Sequence, residues 1–398
     1  MSHAVLALEE LDEIAEAVTV FGTAMVAFAF PTDDVGARHE PGRTLVVRDG
    51  DDVVGAAASY TSWLTAPGGE RVPHAAVTHV GVLPTHTRRG VVSGLLRRQL
   101  EDVAERGEVV ASLRASEGGI YERFGYGIAS HAATFVLDRR RGRLRDTVPR
   151  GGPVRLVDAA TAEELRPLIY SRAAWTGAIA RPSYWWASMR RWLADTPARH
   201  VAVHGAPGDE DGFVVYRAVD VPEWWHSRDR TVVVEDFVAH TDAAYAGLVR
   251  HLAELDPVDT VRFEARPVDD PLAALFADPR AIRRLEVRDE AWLRLVDVGA
   301  ALAARTYGSG APVVVDVADA LLPANAGRYR VDAGGAAPTD APADLSVDVA
   351  GLASVYLGDA RWSALARAGR VQEHAPGAAA AADVLFATVD APFAGTQF

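Results

Sequence analysis

One stretch of the chain, residues 79–127, carries residue types at spacings that could bind a phosphorylated ligand. The segment V80-G-V82 alternates as a strand does, Pro84 ends it, and a helical pattern follows. A strand, turn and helix in this order present backbone N–H groups and the positive end of the helix dipole. Arg88 and Arg89 add two positive charges beside the turn. The stretch therefore predicts a cradle for a phosphate or pyrophosphate group.

Tyr121 follows this turn in the same stretch. It stands between the pair Gly118-Gly119 and the segment F124-G-Y126, which reads as the entrance to a strand. This placement would bring its hydroxyl group to the end of the phosphate site. We therefore expect a nucleotide-phosphate cradle with a phenol at its reactive end.

The composition sets limits on the class of protein. A chain of 398 residues with 49% hydrophobic and 24% charged residues predicts a folded protein of two or three domains. It contains no cysteine, which excludes disulfides, thiolate metal sites and a cysteine nucleophile. The amino end does not resemble a signal peptide, and no apolar run is long enough to span a bilayer. These features predict a cytoplasmic enzyme without a membrane partner.

The net charge of −13 creates a field that repels nucleic acid and attracts cations. The basic run D138-R-R-R-G-R-L-R-D146 could suggest RNA binding, but a solvated linker fits the acidic chain better. We therefore expect no nucleic-acid partner.

The order of predicted elements divides the chain into three parts. Residues 1–150 read as an α/β layer domain, with a helical stretch over residues 1–30 and a closing strand over residues 131–138. Residues 151–288 repeat the same order without the P-x-x-x-R-R-G turn, which predicts a duplicated fold with a degenerate cofactor site. Residues 289–398 are rich in alanine, valine and aspartate and form a third part.

Two segments of the first part carry a resemblance to a known family. The string V80-G-V-L-P-T-H-T-R-R-G-V-V92 and the later I120-Y-E-R-F-G-Y126 resemble the two acetyl-coenzyme A motifs of GCN5-related N-acetyltransferases. The longer strings P84-T-H-T-R-R-G90 and S116-E-G-G-I-Y-E-R-F-G-Y-G127 are similar to those of the enhanced intracellular survival (Eis) acetyltransferases. S354-V-Y-L-G358 and the aromatic carboxyl terminus also look like that family.

The resemblance implies a fold of two tandem acetyltransferase domains followed by a sterol-carrier-protein-like α/β domain. It implies an acetyl-CoA-dependent N-acetyltransferase that acts on primary amines, such as aminoglycosides, polyamines or lysine side chains, by direct attack in a ternary complex without a metal. It also implies a homo-oligomer, a hexamer in the family. The alternatives are a lipid- or sterol-binding carrier with a vestigial acetyltransferase part, and an acyltransferase that uses longer acyl-CoA.

The same resemblance assigns residues to acetyl-CoA. They are Val80, Gly81, Val82, Arg88, Arg89, Gly90, Val91, Val92, Ser93, Ser116 and Glu117. Two positions depart from the family pattern: Thr87 stands where the family has Arg or Gln, and Val92 where it has Gly or Ala.

The chemistry of thioester aminolysis suggests a general acid. The departing thiolate must take up a proton, and its conjugate thiol has a pKa of ~8.5. A tyrosine phenol has a pKa of ~10, which suits Tyr121 to the role.

The residues leave the general base open. His79 precedes the cradle strand, and histidine has an ordinary pKa of ~6.5, which suits a base. The resemblance implies the terminal carboxylate of Phe398 instead. Its ordinary pKa is ~3.5, and burial would raise this pKa. We prefer Phe398.

The acceptor pocket is expected to be aromatic and partly acidic. Its candidate residues are Phe28, Phe30, His79 and Trp186. Gln397 stands where a glutamate would add negative charge, so polycations are expected to bind less well than in better-known relatives.

Overall fold

The computed structural model describes residues 4–8, 11–26, 30–193, 198–219 and 221–398. The elements before residue 130 alternate between helices and strands. In chain order they are β1 (Val5–Leu8), α1 (Leu11–Met25), α2 (Val35–Arg38), β2 (Thr44–Asp49), β3 (Asp52–Thr65), β4 (Arg71–Val82), α3 (Val91–Glu105), β5 (Val110–Leu113), α4 (Gly118–Tyr121) and β6 (Gly127–Ile128).

The elements of the middle of the chain follow the predicted order of helix, strands, helix and strand. They are β7 (His131–Asp138), β8 (Val154–Val157), α5 (Ala159–Tyr170), α6 (Ser183–Leu193), β9 (His200–His204), β10 (Gly212–Ala218), β11 (Thr231–Ala239), α7 (Asp242–Ala253), β12 (Thr260–Pro267) and β13 (Ile282–Asp289).

The carboxyl-terminal elements begin with a strand at the expected composition change. They are β14 (Trp292–Leu295), α8 (Val298–Ala304), β15 (Val313–Ala318), β16 (Gly327–Asp332), β17 (Gly335–Pro338), β18 (Leu345–Asp348), α9 (Val349–Tyr356), α10 (Trp362–Arg367), β19 (Val371–Glu373) and α11 (Ala378–Phe386). Among the described residues, no helix is both long enough and apolar enough to cross a bilayer.

The described residues form two compact units. One unit contains those within Met1–Ser130, Trp175–Ala194 and Asp289–Phe398, and the other those within His131–Ala174 and Asp195–Arg288. The first unit holds a seven-stranded sheet in the order β1-β2-β3-β4-β5-β14-β6 and a five-stranded sheet in the order β17-β16-β15-β18-β19. The second holds a seven-stranded sheet in the order β13-β7-β12-β11-β10-β9-β8.

The prediction that residues 1–30 are mostly helical is wrong at its amino end. Val5–Leu8 is a strand that pairs antiparallel with β2, and the helix begins only at Leu11. Leu6 and Leu8 are apolar and two residues apart, which is the spacing of a strand. The edge of β2 also supplies hydrogen-bond partners for the backbone of residues 5–8, which a short isolated helical turn would lack.

The prediction that residues 131–138 close the first sheet is also wrong. This strand, β7, pairs antiparallel with β12 in the second sheet. The place in the first sheet is taken by β14, where Arg294 pairs with Ala111 on β5. Because both strands are apolar and alternating, the local pattern does not say which sheet each one joins.

The interior of the carboxyl-terminal part is filled by large side chains. Trp362, Tyr356 and Leu352 are each fully buried in one cluster that extends to Leu293 of β14. Arg294 is also fully buried and pairs with Asp319 at 2.6 Å, with both side chains shielded from solvent. The third sheet and β14 therefore share one core.

Candidate active site

The site is built where two parallel strands separate. The ladder between β4 and β5 ends at the pair of Ala76 with Ser112, whereas β4 continues to Val82. On the other side of β4, Ala56 pairs with Gly81 and Ala58 with Thr78, so one residue of β3 opposes two of β4. This bulge carries the separated end of β4, with Val80, Gly81 and Val82, away from β5, which suits an extended ligand that pairs with a strand edge.

The turn after β4 leads into an uncapped helix. Gly90 is the amino-terminal cap of α3, with φ of 85°, and it has no side chain to cap the first-turn N–H groups of Val91, Val92 and Ser93. A Cβ atom at Gly90 would meet no atom within 4 Å, so the space above the helix end is open. Open space, free N–H groups and the helix dipole are the requirements of a phosphate site.

The side chains around this turn take different roles. Arg88 and Arg89 are exposed, and Arg89 lies 4.0 Å from Asp49. Thr87, one departure from the family pattern, donates its hydroxyl to the carbonyl of Pro84 at 3.2 Å and so fastens the turn. Val92, the other departure, is partly buried against the apolar core. Neither departure fills the space above Gly90.

Tyr121 lies at the end of α4 and is 5% exposed. Its ring packs edge to face on Tyr126 at 6.1 Å, in an apolar cluster against which Val80 of β4 also packs. Burial raises the pKa of Tyr121 to about 12, so the phenol stays protonated across the physiological range. Ser116 and Glu117, just before α4, are exposed.

A cavity of about 320 Å³ lies in the same unit. Of the predicted acceptor residues, Phe30 and His79 line it, together with Phe398. Trp185 lines it rather than Trp186, which packs edge to face on Trp185 at 4.7 Å. Phe28 lies outside the described residues, and Tyr121 is not among the described residues that line the cavity.

His79 is held in an aromatic environment. It lies in the bulge of β4 with φ of 51°, and its ring contacts Phe21 at 4.8 Å and His39 at 5.3 Å. Its Nδ1 atom is buried without a hydrogen-bond partner in the described part of the chain. Burial lowers the pKa of His79 to about 3, which makes the imidazole neutral and weakly basic at pH 7.

The carboxyl-terminal tail is held by a buried carboxylate that the sequence analysis missed. Glu290 has a fully buried side chain and accepts hydrogen bonds from the backbone N–H of Ala394 at 2.8 Å and of Gly395 at 3.0 Å. It also accepts from Ser130 Oγ at 2.9 Å and pairs with Arg114 at 3.0 Å.

Donors from three further side chains hold the carbonyl groups of the same tail. Arg114 donates to the carbonyl of Thr396 at 2.8 Å, and Arg181 donates to that of Gly395 at 2.6 Å. Trp185 Nε1 donates to the carbonyl of Gln397.

The ring of Phe398 lies 5.9 Å from that of Tyr60 and 6.5 Å from that of the fully buried His74. Residues 394–397 are therefore fixed through their backbone, and the terminal residue lies in the cavity. We name this set of Glu290, Arg114, Arg181 and Trp185 the tail clamp.

Separated parallel strands, an uncapped helix after the bulged strand and a buried tyrosine define a GCN5-related N-acetyltransferase site. Family models agree: an acetyltransferase (GNAT) domain matches residues 9–129, a second one residues 177–295, and a sterol carrier protein domain residues 298–395. GNAT domains use acetyl-CoA as co-substrate. The predicted fold of two acetyltransferase domains and a sterol-carrier domain is therefore confirmed.

Similar proteins narrow the class. N-acetyltransferase Eis of Mycobacterium tuberculosis is 35% identical over 88% of this chain and 90% of its own length. An uncharacterised N-acetyltransferase of Streptomyces coelicolor is 40% identical over 87% of this chain and 86% of its own length. The crystal structure of Eis1 from Mycobacterium abscessus has a TM-score of 0.93 and 51% identity, with coverage of 99% of this chain and 100% of that one. The chain belongs to the Eis family of N-acetyltransferases.

Proposed function

We propose that this enzyme transfers the acetyl group of acetyl-CoA to a primary amine by direct attack in a ternary complex. Aminoglycosides, polyamines and lysine side chains are the candidate acceptors. The observation that carries the proposal is the tail clamp, which fixes Phe398 in a cavity of the same unit that holds the separated strands β4 and β5. Acetyl-CoA supplies an acetyl group already activated as a thioester.

Each part of the chain has a separate role in this proposal. Residues 1–150 bind acetyl-CoA through the end of β4 and the first turn of α3, and residues 289–398 deliver the terminal carboxylate. Residues 151–288 do not bind acetyl-CoA in our proposal. In that part, the helix α7 is capped by Thr241, whose hydroxyl accepts from the N–H of Ala244 at 3.0 Å, and Asp242 adds a negative charge. A capped, acidic helix end disfavours phosphate.

The general base in our proposal is the carboxylate of Phe398 rather than His79. An ammonium ion must lose a proton before its nitrogen can attack, so the base must lie beside the acceptor and accept that proton. A carboxylate also attracts the ammonium ion, whereas the neutral ring of His79, with a pKa of about 3, offers no charge. The tail clamp supports this choice, because it orders the chain up to the terminal residue.

A thiol-release assay with acetyl-CoA over a panel of primary amines tests the function. Amine-dependent release is expected, and the same assay with longer acyl-CoA tests the acyltransferase alternative. Lipid binding without any amine-dependent release would favour the carrier alternative. We also propose a homo-oligomer, a hexamer, which mass photometry of the purified chain tests directly.

The exposed arginines of the turn are expected to contribute to acetyl-CoA affinity. Replacing Arg88 and Arg89 together with Gln should raise KM for acetyl-CoA by ~10-fold and leave kcat nearly unchanged, because each arginine adds one partly screened contact to a phosphate. The effect should shrink in high salt. The control is Arg367→Gln, an exposed arginine of α10, and an unchanged KM in the double variant would contradict the assignment.

Weakening the tail clamp is expected to lower activity without weakening acetyl-CoA binding. Glu290→Gln replaces one acceptor oxygen with an N–H₂ group that faces donors, so the tail should loosen and kcat should fall by ~10-fold. KM for acetyl-CoA should be unchanged. Carboxypeptidase should release the last residues faster than from wild type. The matched control is Glu105→Gln, which changes an exposed glutamate of α3. If carboxypeptidase releases the last residues of Glu290→Gln no faster than those of wild type, the tail clamp is refuted.

A further inference from the structure

The walls of the acceptor cavity are mainly apolar and aromatic. Phe21 and Phe30 pack against each other at 4.8 Å on one wall. Trp185, Met189 and Phe398 contribute further apolar surface, and Trp185 and Phe398 pack in one cluster. Such walls favour an apolar or aromatic body, and one ammonium ion can gain from the faces of the rings.

Two residues contribute the negative charge among the described residues that line this cavity. They are Glu40 and Phe398, the residue that bears the terminal carboxylate. Glu40 accepts hydrogen bonds from Thr61, at 2.6 Å from the backbone N–H and at 2.8 Å from the hydroxyl. Because Thr61 is neutral, these hydrogen bonds hold the carboxylate of Glu40 in place without cancelling its charge.

Two arginines of the described part of the chain line the same cavity. Arg114 is neutralised by the buried carboxylate of Glu290 at 3.0 Å. Arg38 differs, because its guanidinium donates to the carbonyl oxygens of Pro31, at 2.9 Å, and of Asp33. Carbonyl oxygens satisfy its hydrogen bonds without cancelling its charge, which the carboxylates of Asp33 and Asp34 offset only in part and from a distance.

The two histidines of the cavity do not change this balance. Burial lowers the pKa of His79 to about 3 and lowers that of His39 as well, so both rings are neutral at pH 7. His39 Nδ1 lies 3.1 Å from the carbonyl oxygen of Val35, which fixes its ring. Among the described residues that line the cavity, the formal charges are therefore the carboxylates of Glu40 and Phe398 and the guanidinium groups of Arg38 and Arg114. Since Glu290 neutralises Arg114, the other three charges sum to −1.

We infer that the acceptor is a primary monoamine with an aromatic or apolar body, and that Arg38 selects against a second cationic group. This inference rests on the proposed function and narrows its acceptor class. One ammonium ion balances the net charge of −1 in the lining, and the walls enclose an apolar body. The guanidinium of Arg38 belongs to the same lining and repels the further positive charge of a polyamine or aminoglycoside. A positive charge in the wall of a partly enclosed cavity lowers the affinity for an acceptor with a second ammonium group. Such a charge contributes to specificity between acceptors more than to binding of the preferred one.

The test compares acceptors that differ by one ammonium group. Initial rates of thiol release are measured with hexylamine, 1,6-diaminohexane, 2-phenylethylamine and an aminoglycoside, on wild type, Arg38→Gln, Arg38→Lys and the control Arg367→Gln. In wild type, kcat/KM for hexylamine should exceed that for 1,6-diaminohexane by ~10-fold or more, since one like-charge contact can cost that much. Arg38→Gln should lower this ratio by ~10-fold, and Arg38→Lys should keep it. Arg367→Gln should not change it.

The outcomes separate the two proposals. Equal or faster turnover of the diamine or aminoglycoside by wild type would overturn the monoamine class and leave amine acetylation standing. A ratio that Arg38→Gln leaves unaltered would overturn the role of Arg38. No amine-dependent release from any acceptor would overturn the proposed function, and the acceptor class with it.

Discussion

Deleting Phe398 is expected to lower kcat by ~10²- to 10³-fold, the usual contribution of a positioned general base. The deletion leaves a carboxylate on Gln397, but one residue of extended chain moves it by ~3.5 Å. The tail clamp holds Gln397 by its carbonyl group, so the new terminus cannot simply slide into the old position. The measurement is kcat from thiol release at saturating acetyl-CoA, followed from pH 6 to pH 10.

Two further variants separate the carboxylate of Phe398 from its ring. Phe398→Ala keeps the terminal carboxylate in place and removes the contact with Tyr60, so it should lose less activity than the deletion. Adding two glycines after Phe398 keeps the ring and moves the carboxylate, so this variant should lose as much activity as the deletion does. Full activity in the deletion variant, with a large loss in His79→Gln, would identify His79 as the base and reject our assignment.

Tyr121→Phe is expected to lower kcat by ~10²-fold, comparable to removing a hydrogen-bond donor from an oxyanion site. The pKa of about 12 refines the role of this residue. A phenol with that pKa gives its proton uphill to a thiolate whose conjugate acid has a pKa of ~8.5. We therefore propose that Tyr121 acts chiefly by donating a hydrogen bond to the departing sulfur and transfers its proton only late in the step. Kinetics with acetyl-CoA and the best amine of the panel measure the loss.

The raised pKa also fixes the pH profile. The active form of Tyr121 is protonated and persists up to pH of about 12, so activity should not fall between pH 8 and 10 because of this group. Tyr126→Phe is the matched control. Tyr126 is fully buried, packs on Tyr121, and its hydroxyl has no hydrogen-bond partner among the described residues. Near-normal activity is expected in Tyr126→Phe, and an equal loss in both variants would remove the special role of Tyr121.

The strands and helices of most of the chain follow from the sequence. The hairpin between β2 and β3, the strands β9 to β12 and the helix α11 lie where periodicity and turn residues place them. These elements depend on contacts between near neighbours, which local patterns report well. The choice of sheet for β7 and β14 depends on pairs such as Ala111 with Arg294, which lie far apart in the chain, and no local pattern records them.

The sequence by itself predicted the proposed acetyl-CoA cradle and the proposed role of Tyr121. The bulged strand, the turn and the first turn of α3 are contiguous, so their geometry follows from Pro84, Gly90 and the residues beside them. Only the tertiary structure decided how the proposed acceptor side of the site is built. No motif marks the buried carboxylate of Glu290 or the guanidinium of Arg38, because the roles that we propose for them arise from burial and from partners brought together by folding.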